Sequence, residues 1–273
     1  MLDLFKKSNQ LKSTVVEHFS LPESVVGNNI CYTRFILYGH ARSGSSLVIK
    51  HLQSHSSITC FGELFVNGRI GFNTPGFDDR SAELLELKMK NPIQFLNGYI
   101  YQGYDSQVSA VGFKLFPDQI SKGPNAAVWD WLKDNPKLKV IHLERGDRLA
   151  TYASLMMAKK TGNFGINHEK DRSDEYIPLD PVKCEEYFEL RESFEKKGDE
   201  LFQNHDVLKL DYKELDSTLD STLNRIQDFL GLENESLSSD KVKQEVRPLS
   251  EVISNYQELK DYFNNTKWSR LFV

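Results

Sequence analysis

Short runs of consecutive apolar residues alternate along this chain with longer stretches in which apolar residues recur every three or four positions. The first pattern reads as buried strands and the second as amphipathic helices. Arg34-Phe35-Ile36-Leu37-Tyr38 ends on Gly39, and Val108–Leu115 and Leu138–Leu143 have the same form. Ser57–Cys60 and Asp206–Leu210 are shorter strands of the same kind. Between them the spacing predicts helices over Leu47–Leu52, near Ser81–Lys90, over Asn125–Asp134 and from Asp147 through Lys160. Two more run from Pro181 to Gln203 and over Leu219–Leu230, the last closed by Gly231. Pro181 suits a first helical turn, and Tyr187, Leu190, Phe194 and Leu201 form the expected apolar stripe of that long helix. Gly162–Pro178 is polar and reads as a mobile loop.

Strands alternating with helices imply an α/β fold, a central parallel sheet flanked by helices. No repeat and no Pro/Gly/Ser linker divides the chain, so residues 1–273 read as a single domain, with a core of about 33–268 after an amino-terminal lead-in over 1–32. Sheets of this kind hold ligands where strands end and helices begin.

Composition narrows the partners. With 34 Lys+Arg against 39 Asp+Glu the net charge is −5, which excludes a broadly basic nucleic-acid binder. No stretch reaches the roughly 18–20 apolar residues of a membrane span, and charges interrupt MLDLFKKSNQLKS too early for a signal peptide. Cys31, Cys60 and Cys184 are scattered and lack CxxC spacing, as expected of thiols in a reducing compartment. The expectation is a soluble, cytoplasmic protein.

Between the first strand and its helix stands Gly39-His40-Ala41-Arg42-Ser43-Gly44-Ser45-Ser46-Leu47. Small residues let the backbone curl so that successive N–H groups face one anion, and a helix amino terminus adds about half a positive charge. The Ser45 and Ser46 hydroxyls and the planar Arg42 cation complete a phosphate cradle, although a small-residue turn with no ligand has the same composition. A Walker A loop needs Lys-Ser/Thr after its last glycine, and none follows Gly44, which disfavours a nucleotide kinase with a degenerate loop. After the third strong strand, Arg145 falls at the ligand edge of the sheet, and Ser154 lies nine positions on, about two and a half helical turns away. Both can reach a second phosphate; the alternative is a structural ion pair of Arg145 or Arg148 with Asp147 or Glu144. His142 sits inside an apolar strand and reads as a core histidine. His51 and His55 are four apart, a metal-compatible spacing, but no third ligand is evident. The aromatics of Tyr99–Tyr104 read as core packing or as an acceptor groove.

Taken together, ARSGSSL with Phe61-Gly62-Glu63-Leu64-Phe65 resembles the 5′-phosphosulfate loop and acidic segment of sulfotransferases, in particular the bacterial carbohydrate sulfotransferases of the nodulation-factor type. VIHLERGDRLATYASLMMAKKTG resembles their 3′-phosphate segment, and Gly112–Gln119 their central strand. Arg247-Pro248-Leu249-Ser250 with Ile253–Tyr256 resembles their carboxy-terminal element, which ends near Trp268. The likeness runs in order from about Thr33 to Trp268, with Ala41 standing where many members have proline.

The resemblance implies transfer of a sulfuryl group from 3′-phosphoadenosine 5′-phosphosulfate (PAPS) to an acceptor hydroxyl, of a carbohydrate or glycolipid, leaving adenosine 3′,5′-bisphosphate (PAP), with no metal. Arg42, Ser43, Gly44, Ser45, Ser46, Arg145, Ser154 and Arg247 would hold the donor; the motif spacing leaves Arg145 and Arg148 both open as the main 3′-phosphate ligand, and Arg145 is favoured because Arg148 should lie a helical turn from the strand edge. Glu63 is the implied general base, or else a capping or salt-bridged carboxylate. Arg42 would stabilise the leaving phosphate, and Lys114 would contact the sulfuryl group or the acceptor unless it is a solvated strand-end lysine. A non-catalytic PAP-binding protein of the same fold would carry the same motifs. The motifs specify neither the acceptor nor the oligomeric state.

Overall fold

Phe35 and Leu37 point to one face of their strand and Ile36 and Tyr38 to the other, and all four are 0% exposed. A strand buried on both faces belongs in the middle of a covered sheet. The computed structural model, which describes residues 31–74, 77, 81–241 and 246–272, puts it there. The strands are β1 (Thr33–Tyr38), β2 (Ile58–Glu63), β3 (Ala110–Leu115), β4 (Lys139–Glu144) and β5 (Val207–Asp211). They form one parallel sheet in the order β2-β3-β1-β4-β5. From β1 the chain crosses to one side of the sheet and from β4 to the other. The ends of these neighbouring strands therefore frame the crevice in which open α/β sheets bind ligands.

The helices are α1 (Ser45–Leu52), α2 (Ala82–Lys90), α3 (Pro92–Phe95), α4 (Ala127–Lys133), α5 (Arg148–Thr161), α6 (Pro181–Leu201), α7 (Tyr212–Ser217), α8 (Leu219–Leu230), α9 (Leu249–Val252) and α10 (Tyr256–Phe263). One sheet face, with Ile36, Tyr38 and Phe113, packs on α2–α4; the other, with Phe35, Leu37 and Leu210, packs on α1 and α8. A third cluster joins α5, α6 and α10 around Phe188, Phe263 and Trp268.

Every predicted strand is present, and the differences are local. The strand expected to end at Cys60 continues to Glu63, because a register shift between Phe61 and Glu63 re-aligns the chain and sets Glu63 opposite Lys114. A side chain at Gly62 would come within 2.5 Å of the Gly71 carbonyl. In α6 the buried stripe is Cys184, Phe188, Arg191 and Gly198, whereas Leu190 is exposed. The segment read as a mobile loop is tied down: Ile166 is buried and Ile177 forms a bridge with Ile253. Of the aromatic cluster, Tyr101 stacks on Trp131 and donates to the Phe35 carbonyl at 3.1 Å, and Tyr99 stacks on Phe95, so both are core. Most of the lead-in, residues 1–30, lies outside the described residues.

Candidate active site

The turn after β1 is built by its own small residues. The Ser43 hydroxyl donates to the His40 carbonyl at 2.7 Å and its N–H to the same oxygen at 3.3 Å, which folds the turn and leaves Ser43 fully buried. Ser43 thus shapes the cradle, and its hydroxyl faces the turn's own backbone. Gly44 takes the left-handed conformation (φ 88°) and begins α1 with no side-chain cap. The Gly44 carbonyl accepts from Leu47 and Val48, while the first helical turn, Ser45–Leu47, lines a cavity of about 530 Å³. A helix start with its N–H groups facing a cavity is suited to an anion.

Arg42 is also left-handed (φ 68°), a costly conformation for a residue with a side chain. Its guanidinium is fixed at both ends, Nε donating to Ser154 Oγ at 3.0 Å and Nη1 to the Phe164 carbonyl at 2.5 Å. Burial, and then the neighbouring Arg145 charge, lower its pKa. Two cations held this close favour an anionic ligand between them. Arg145, just past β4, donates to the Arg42 carbonyl at 2.8 Å and lies 4.1 Å over the Tyr212 ring. Arg148 has a different destination: it is buried, ion-paired with Glu195 on α6 and set against Trp268. Of the two arginines, Arg145 lines the cavity; the structural ion pair belongs to Arg148, with a partner other than Asp147 or Glu144. Arg247 completes the wall and donates to the carbonyls of Ser173, Asp174 and Glu175 at 2.9–3.1 Å.

The ends of β2 and β3 bring together a carboxylate and an ammonium group. Glu63 Oε1 is 2.9 Å from Lys114 Nζ, and Glu63 Oε2 accepts from Gln119 Nε2 at 2.7 Å. Lys114 is buried (4% exposed) rather than a solvated strand end, and it also donates to Ser46 Oγ at 3.1 Å. Burial, with a contribution from the Glu63 charge, raises the pKa of Asp118. Lys114 and Ser46 line a second cavity of about 910 Å³. Ser46, Phe164, Gly165 and Lys241 line both cavities, so the two meet at the Ser46–Lys114 contact.

The sequence-predicted donor-binding residues therefore converge on one cavity, with Ser43 behind it; Lys114 lines the other, and Glu63 lines neither but stands behind Lys114, in contact with its ammonium. Sequence reasoning missed Tyr212, Gln119, Lys241 and Phe164. Tyr212 was findable, since it follows β5 at the ligand edge of the sheet; a Cβ on Gly44 would lie 2.9 Å from its ring. The other three carry no local signal.

The histidines serve other ends. His51 Nδ1 sits 2.8 Å from the Leu47 carbonyl and His55 Nε2 3.1 Å from that of Glu233. His142 is buried, and its pKa is lowered to about 4, chiefly by burial. Near it, Glu144 and Asp199 form a group of metal-compatible geometry, but the Lys209 ammonium stands 2.6 Å from Asp199 and 4.0 Å from Glu144 and supplies the cation. No helix among the described residues is long and apolar enough to cross a membrane.

The chain is similar to nodulation protein H of Rhizobium meliloti (strain 1021), 28% identical over 247 residues that cover 87% of this chain and 94% of that protein. It is also similar to nodulation protein H of Rhizobium tropici, 26% identical over 244 residues, covering 87% and 92%. Among solved structures it aligns with a sulfotransferase from Alicyclobacillus acidocaldarius (TM-score 0.49, 15% identity, 86% of this chain and 92% of that one). A second alignment is with mouse sulfotransferase SULT7A1 complexed with PAP (TM-score 0.37, 13% identity, 88% and 72%). A model of the sulfotransferase family matches residues 35–236, from β1 past the end of α8, and on that match the chain belongs to the sulfotransferase family.

Proposed function

We propose that this chain is a PAPS-dependent sulfotransferase that sulfates a hydroxyl of a carbohydrate or glycolipid and releases PAP. One observation carries the reading. Two phosphate-type segments about a hundred residues apart in sequence meet on the wall of one cavity, through Arg42 Nε–Ser154 Oγ at 3.0 Å and Arg145 Nη1–Arg42 O at 2.8 Å.

PAPS supplies an activated sulfuryl group on a good leaving phosphate. The chain's own residues fit it. The uncapped start of α1 and Arg42 suit the 5′-phosphate end, and Arg145 with Ser154 suits the 3′-phosphate. Arg247 adds a cation to the same wall. Transfers of this type depend on positioning and on charge stabilisation. Arg42 and the first-turn N–H groups of α1 offset charge on the departing phosphate. Lys114 bridges Ser46 and Glu63, and so carries a positive charge between the two cavities. Glu63, held by Lys114 and Gln119 behind the wall of the second cavity, is our assignment for the group that takes the acceptor proton.

The test is calorimetric titration with PAP, beside AMP and ATP–magnesium. PAP binds and AMP binds far more weakly. Affinity falls at least about tenfold in Arg145→Ala, as expected for a charge-assisted phosphate contact, and stays close to wild type in Arg148→Met, whose guanidinium faces Glu195. A preference for ATP–magnesium, or PAP affinity that depends on Arg148 instead, overturns the assignment.

A further inference from the structure

The second cavity has a one-sided charge. Its charged lining residues among those described are Lys50, Arg69, Lys114 and Lys241, with no carboxylate, in a chain whose net charge is −5. Two of these cations are accounted for at the junction with the donor cavity: Lys114 by its contacts to Glu63 and Ser46, and Lys241 by lining both spaces and donating to Asn167. Lys50 and Arg69 line the second cavity alone, and neither forms an ion pair with a described carboxylate.

Both are set on built positions. Lys50 lies four residues after Ser46 on α1, so the two share a helix face and Lys50 stands one turn deeper along the wall. Arg69 belongs to the turn after β2. The main chain of that turn is gripped by buried Lys88, whose ammonium donates to the carbonyls of Val66 (2.8 Å) and Arg69 (3.0 Å). The rest of the wall sets the apolar Ile49, Ile70, Phe72, Phe77, Leu85 and Phe164 beside the uncharged polar Asn73, Thr74 and Ser81.

We infer that the acceptor is itself an anion joined to an apolar body: a hydroxyl-bearing headgroup with its own carboxylate, phosphate or sulfate, whose charge lies toward Lys50 and Arg69 and whose apolar part packs on the phenylalanines. A cleft lined by charges of one sign focuses its field on the incoming ligand and raises its capture rate. This rests on the sulfotransferase reading, since it takes the second cavity as the acceptor's.

The experiment uses the full chain saturated with PAP, so that the PAP titration reports on the donor site independently. Octyl glucuronide and octyl glucoside, a pair in which a C6 carboxylate replaces the C6 hydroxymethyl group, are titrated below their micellar concentrations, with methyl glucuronide as the form lacking the long alkyl chain. Two partly exposed ion pairs support roughly a five- to tenfold preference for octyl glucuronide over octyl glucoside. That preference shrinks in 0.5 M salt, as expected for screened charges (a Debye length of about 3–5 Å), and disappears in the Lys50→Gln/Arg69→Gln double variant. Methyl glucuronide binds more weakly than octyl glucuronide. Equal or better binding of octyl glucoside overturns the anionic acceptor, and equal binding of methyl glucuronide overturns the apolar body. If PAP itself fails to bind, it is the donor assignment that falls.

Discussion

The carboxylate proposed as the base is held by two donors at once, since Glu63 has Lys114 on one oxygen and Gln119 on the other. Those bonds orient it, and a substrate hydroxyl has to share an oxygen with one of them. Glu63→Gln keeps the shape and removes the base. Turnover should fall by about 10²–10⁴-fold, the range for loss of a positioned acid–base group, while PAP affinity changes little. Full activity in this variant, at unchanged melting temperature, would remove Glu63 from the chemistry. At this scale the sequence was readable wherever a residue acts within a contiguous motif: Arg42, Ser45, Ser46, Arg145 and Ser154 all reach the cavity wall. It was unreadable where a residue acts across the fold. Nothing near Gln119 announces that it meets a carboxylate 56 positions earlier in the chain. Arg145 is favoured over Arg148 because the latter should lie a helical turn from the strand edge, but the partner that occupies Arg148, Glu195 on α6, was not legible.

Among the elements, the turn into α1 depends most on its backbone. Gly44 combines φ 88° with a Tyr212 ring 2.9 Å from where a Cβ would stand. Gly44→Ala therefore pays twice, in left-handed backbone strain and in displacement of Tyr212. We expect a loss of about 1–3 kcal/mol of stability together with weaker PAP binding, because Tyr212 also underlies Arg145 at 4.1 Å. Chemical denaturation and calorimetry measure the two effects separately, and a variant that is stable and binds as wild type would show that the turn tolerates a side chain. The strands were legible because each is a short apolar run, and the longer helices because their period repeats. Leu190 was misassigned because α6 buries polar and small residues, Arg191 and Gly198, where an apolar stripe would place leucines. Helices α3, α7, α9 and α10, none longer than eight residues, were missed: their short runs lack the clear strand or stop signals that marked α1 after Gly44 and α4 before Asn135-Pro136.

For the molecule as a whole, acid stability is linked to a buried imidazole. Burial lowers the pKa of His142 from 6.5 to about 4, so between those values the unfolded chain binds a proton that the folded chain does not. Its contribution is intact above pH 6.5, declines as pH falls toward 4 and then levels off, a difference of up to about 3 kcal/mol. Urea denaturation at a series of pH values should show this limb flattened in His142→Leu relative to wild type, the carboxylate contribution being common to both. Parallel limbs in the two proteins would mean that His142 titrates normally. The overall architecture followed from strand–helix alternation, yet the third core cluster did not. It assembles α5, α6 and α10 from distant parts of the chain, and its centre, Trp268, packs on Phe188 of α6 and under Arg148 of α5, both far from it in sequence.

Phe164 belongs to both cavities, while its carbonyl is held by Arg42 at 2.5 Å. A wall with two faces ties two binding equilibria together. Whatever free energy one occupant spends or gains in moving that wall is returned, equal in size and sign, in the affinity of the other. The order in which donor and acceptor arrive can then alter rates, but the stability of the ternary complex is the same by either route, and the cooperativity between them is a single number that either ligand can be used to measure.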